Sequence, residues 1–121
     1  MNFTAIGWLL VLVLSGCSST IKVNQFDASY PPNPENCEIK FYLKTMPTEQ
    51  ACKNLAKIEA HVQKNLFFGG RVALEDDAYP ELRLKACQLG GDIVIVDDYL
   101  ASTASEFSHV HVWASVLRCV K

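Results

Sequence analysis

Between Asp76 and Val96 the apolar residues change their spacing, and that change restricts the chain to a mixed fold. Asp76 and Asp77 supply oxygens and negative charge suited to a helix start, Pro80 fits a first turn, and Leu82, Ala86 and Leu89 form one helical stripe. Gly90-Gly91 then permits the turn that ends a helix. Ile93-Val94-Ile95-Val96 follows, a β-branched run too short for a buried helix and suited to a strand in the middle of a sheet. A helix that leads at once into such a strand predicts an α+β domain.

Other strands are read from alternation. Glu38 to Leu43 places Ile39, Phe41 and Leu43 on one side. The stretch 49–63 can be drawn as a helix through Ala51, Leu55, Ala56 and Ala60. However, Ala56, Ile58, Ala60 and Val62 alternate strictly with Lys57, Glu59, His61 and Gln63, which predicts a strand from about Leu55 to Val62. Asn65 to Leu74, with Phe67-Phe68-Gly69-Gly70, reads as a loop. The last strand, about Val110 to Val120, puts Val110, Val112, Ala114, Val116 and Val120 on one face and His109, His111 and Trp113 on the other. The expected order is β-β-α-β-β: a sheet of about four strands with one main helix packed on a face.

The N-terminus stands apart from this domain. Residues 1–16 hold eleven apolar side chains and no charged one. The apolar stretch from Ala5 to Leu14 is half the length needed to cross a bilayer as a helix, so it reads as the hydrophobic region of a signal peptide. It ends in Leu14-Ser15-Gly16-Cys17, which resembles the lipobox of bacterial lipoproteins. That resemblance implies removal of residues 1–16, with a diacylglycerol on the Cys17 sulfur and an N-acyl chain on its amine. Several acyl chains hold a protein on a membrane where one would exchange. Ser18 and Ser19, with no Asp directly after the cysteine, resemble the pattern for the outer membrane, the inner membrane remaining the alternative. Residues 18–36 contain three of the five prolines and read as a flexible tether; a short edge strand at Ile21 to Val23 is the competing reading. The domain proper is then 37–121.

Four further cysteines, Cys37, Cys52, Cys87 and Cys119, lie on this small domain. In an oxidising periplasm an even number of thiols implies two disulfides, because so small a domain has a thin core. Three pairings are open. A right-handed β-α-β crossover favours Cys52 with Cys87, leaving Cys37 with Cys119. An antiparallel pairing of the first two strands would instead put Cys37 at the opposite end. No Cys-x-x-Cys is present, and the spacing is too wide for a zinc finger.

The succession Leu55-Ala56-Lys57-Ile58-Glu59-Ala60, then Leu82 to Ile95 with its Leu89-Gly90-Gly91-Asp92 step, then Val116-Leu117-Arg118-Cys119 resembles the RcsF-like and YbjQ-like family of small domains. The resemblance spans 37–120 and implies an α+β fold and a role in envelope-stress sensing. The cysteine positions differ from those of RcsF-like proteins, and their long proline-rich tether is missing.

Chemistry-bearing candidates are few. His109-x-His111 puts two imidazoles on one strand face, within reach of one metal ion, although such pairs are more often polar surface. Phe67 and Phe68 beside two glycines, and Trp113, are candidates for contact with a protein partner. Glu75-Asp76-Asp77 and Asp97-Asp98 lack the spaced oxygens of a calcium loop. With 11 basic against 13 acidic residues and a charge of −2, no nucleic-acid partner is expected. Neither a nucleophile elbow nor an acid–base pair in a pocket context is visible, so no enzyme and no cofactor beyond the lipid are expected. The expectation is an outer-membrane lipoprotein facing the periplasm and working by contact with an envelope protein. The alternative is a metal-binding module using His109 and His111.

Overall fold

A computed structural model describes residues 17–45, 51–67 and 70–119. Residues 1–16, expected to be a signal peptide, Phe68 and Val120 lie outside the described residues. The chain forms an α+β fold with one main helix and a mixed sheet. Its strands are β1 (Cys17–Gln25), β2 (Lys40–Leu43), β3 (Cys52–Asn65), β4 (Ile93–Ala104) and β5 (Phe107–Cys119), and the helix α1 is Tyr79–Gln88. The strand order is β1-β3-β5-β4-β2, antiparallel throughout except for the parallel pair β2–β4.

The alternation along β3 has the expected result: Ala56, Ile58, Ala60 and Val62 are all buried. They meet Val110, Val112, Ala114 and Val116 of β5 and Val94 and Val96 of β4, and Leu82 and Ala86 of α1 close the core from one side. The helix ends as its glycines predict. Gly90 adopts φ +82°, its N–H donates to the Cys87 carbonyl at 3.1 Å, and the Gly91 N–H donates to the Ala86 carbonyl at 2.9 Å. This is the Schellman arrangement. A side chain at Gly90 would also stand 2.7 Å from the Pro31 carbonyl oxygen. At its start, Leu74–Ala78 winds as a π-turn, and the Asp77 carboxylate accepts the Ala73 N–H at 2.7 Å while pairing with Lys64.

Three expectations need correction. The sheet has five strands rather than about four, because the proposed tether is largely structured. β1 pairs with β3 from Cys17↔Lys64 to Gln25↔Ala56, and Ile21 packs against the core. An uncovered β3 would leave a row of backbone donors and acceptors unpaired; β1 satisfies them. The proline-containing stretch beyond β1 is docked too: Asn33 donates from its backbone to the Cys87 carbonyl and from its side chain to that of Gly91, and Arg118 lies over the Tyr30 ring. Extended backbone suits packing as well as reach.

Ile93–Val96 is one place away from the middle of the sheet, which belongs to β5. The run is buried because β2 covers the other side of β4. Past Val96, beyond the last β2 pair, β4 becomes exposed. Of the first two domain strands, whose pairing the sequence leaves open, β2 does not pair with β3 but lies at the far edge beside β4. The third correction follows from it. The disulfides are Cys37–Cys87 and Cys52–Cys119, not Cys52–Cys87 and Cys37–Cys119. Lying parallel to β4, β2 brings its leading segment with Cys37 to the C-terminal end of α1, while Cys52 and Cys119 face each other in the β3–β5 register with Cα atoms 4.0 Å apart.

Candidate functional site

Helix α1 covers one face of the sheet, and the opposite face carries the alternate residues of each strand. On β5 these are Phe107, His109, His111 and Trp113; on β3 they are Gln63, His61, Glu59 and Lys57. The register sets His61 opposite His111 and Glu59 opposite Trp113. β1 contributes Thr20 opposite His61 and Lys22 opposite Glu59. All three histidines of the chain therefore share one patch.

His61 Nε2 and His109 Nδ1 are 3.0 Å apart, their rings nearly parallel with centroids 5.2 Å apart. One nitrogen must donate and the other accept, so the pair holds complementary tautomers. His111 Nε2 meets the Glu59 carboxylate at 2.8 Å, and its ring stacks on Trp113 with centroids 4.7 Å apart. A shallow depression of about 170 Å³ opens between Thr20, Lys22, Glu59, His61 and His111. A neighbouring groove of about 220 Å³ runs beside Lys22, Lys57 and Trp113. Among the described residues, no group of three or more His, Cys, Asp or Glu side chains is arranged to hold a metal ion.

Burial, reinforced by the charges that His109 and His111 can carry, holds the His61 imidazole below its ordinary 6.5. Its neutral form thus belongs to the folded state, and the unfolded chain binds a proton more readily. The stability this contributes is complete above 6.5 and is lost as pH falls through that value toward the lower folded pKa. Urea unfolding should show a lower midpoint at about pH 5 than at about pH 7.5, with a smaller difference in His61→Gln. An unchanged difference in that variant would remove His61 as the cause.

The predicted pair His109 and His111 is where strand alternation put it, with Trp113 beside it. His61 went unassigned in the sequence because its place in the patch depends on the β3–β5 register. Phe67 does not join this patch. It follows the end of β3 and is 79% exposed, whereas Trp113 lies six residues, about 20 Å, along β5 from Phe107. The acidic groups have local roles: Asp77 pairs with Lys64, and Asp97, at a β-bulge, accepts from Ser115 Oγ at 2.7 Å and Lys57 Nζ at 3.1 Å.

No protein-family model matches the chain, and no curated protein matches it significantly. Among solved structures, it is similar to a Francisella virulence factor, FvfA, in its orthorhombic crystal form, at 12% identity and a TM-score of 0.47. The match covers 80% of this chain and 97% of that one.

Proposed function

We propose that this chain is a non-enzymatic envelope lipoprotein, moored in the outer membrane through acylated Cys17 and facing the periplasm, that works by protein–protein contact. Its role would be RcsF-like stress sensing or service as an accessory part of an envelope assembly. The observation that carries the contact reading is the uncovered sheet face, where Trp113 is 37% exposed and stacked on His111. A rigid aromatic on an open, flat face is a common anchor for a partner. Leu14-Ser15-Gly16-Cys17 supports the anchoring, and two disulfides suit an oxidising compartment.

A photo-reactive amino acid at position 113, with one at exposed Arg83 on α1 as control, tests the contact in native cells. The expected outcome is an envelope protein captured from position 113 and not from 83. Recovery of only lipid and peptidoglycan would count against contact. Palmitate labelling with membrane fractionation tests the anchor and distinguishes outer from inner membrane.

One observation favours a second reading, metal binding: the 3.0 Å between His61 Nε2 and His109 Nδ1 is also a separation that two imidazoles ligating one ion at about 2.1 Å can adopt. Calorimetric titration with Zn²⁺ and Cu²⁺ separates the readings. The contact reading expects no stoichiometric binding. Binding that is lost in His61→Ala as well as in His109→Ala and His111→Ala would establish the metal module.

A further inference from the structure

We infer that the end of the sheet carrying Cys17 rests directly on a lipid surface, with Phe67 in the interfacial layer of the bilayer. This rests on the reading of Cys17 as the acylated residue. In the β1–β3 ladder the backbone of Cys17 lies opposite Lys64, one residue before the end of β3. An acyl group attached there leaves from the body of the sheet, with no free linker between the lipid and the folded domain.

The same end presents Phe67. Leu66 N–H donates to the Glu106 carbonyl at 2.8 Å, and Phe67 N–H donates to Asn65 Oδ1 at 2.9 Å, so the turn is pinned to both β3 and the β4–β5 hairpin. Phe67 itself is 79% exposed. Three residues beyond Lys64, Phe67 lies within roughly 15 Å of the Cys17 backbone. Apolar side chains such as Phe insert at the boundary of headgroups and acyl chains, and lipid anchored beside this one holds it there.

The fold supplies its own control. Phe26 is 56% exposed but follows the far end of β1, about 30 Å from Cys17 along the strand. It should stay in water.

The full chain, purified acylated from membranes, is therefore compared as Phe67→Trp and Phe26→Trp, each in a Trp113→Phe background. Each is placed in phosphatidylcholine vesicles containing lipid brominated near the headgroup, and its intact mass is measured. The expected result is that the tryptophan at 67 loses most of its emission while the one at 26 keeps it. Two unquenched probes on a protein of acylated mass would overturn the inference and leave the lipoprotein reading standing. Equal quenching of both would also overturn it, since the domain would then lie on its side. A mass that retains residues 1–16, or lacks lipid, would defeat the lipoprotein reading itself.

Discussion

The Cys52→Ala/Cys119→Ala double variant should melt roughly 20 °C below the parent protein, the shift expected for about 4 kcal/mol in a domain of this size. The bridge joins residues 67 apart in sequence, and in the unfolded chain that restraint removes loop-closure entropy. In the folded protein it costs little, because the β3–β5 register already brings the two residues together. Cys37–Cys87 closes a similar loop of 50, so its loss should be nearly as severe. The two loops overlap in sequence, so the second bridge acts on a chain already shortened by the first. Scanning calorimetry of each double variant measures both effects. A fall of only a few degrees would mean that the disulfides are not what restricts the unfolded ensemble.

Leu82→Ala should cost roughly 3–4 kcal/mol, because it empties a fully buried site between α1 and the sheet. The walls of that site are β3, β4 and β5, held together by their ladders and unable to collapse far onto a void. Leu84, two residues along the same helix, is 38% exposed, and Leu84→Ala should cost under about 1 kcal/mol. Urea unfolding with an unchanged slope is the appropriate measurement. Equal losses in the two variants would contradict the assigned facing of α1.

The helix and its exit were legible because their determinants are local. Pro80, the Leu82–Ala86 spacing and Gly90-Gly91 act within a turn or two of where they stand. The β3 alternation was legible for the same reason. Pairing partners were not, since nothing within Lys40–Leu43 states that it will lie parallel to Ile93–Val96 rather than beside its sequence neighbour. The wrong disulfide connectivity followed directly from that missing long-range fact. The stretch after Cys17 was misjudged on composition: its prolines indicate extended backbone, and the free edge of β3 decides what that backbone does. In the candidate site, His109 and His111 were visible from their spacing, while His61 required knowledge of what stands across from His111.

The strand order also constrains how such a domain is made. β1 and β2, synthesised first, become the two rims of the sheet, whereas its middle strand, β5, comes last. Until β5 arrives, the chain has only two separate two-stranded pairs, β1–β3 and β2–β4, and an unsupported helix, none of which persists alone in water. Folding of the emerging chain must therefore wait for its C-terminal hairpin. During that interval the apolar strands are exposed to aggregation, and oxidation of the four thiols before β5 is in place would join the wrong partners.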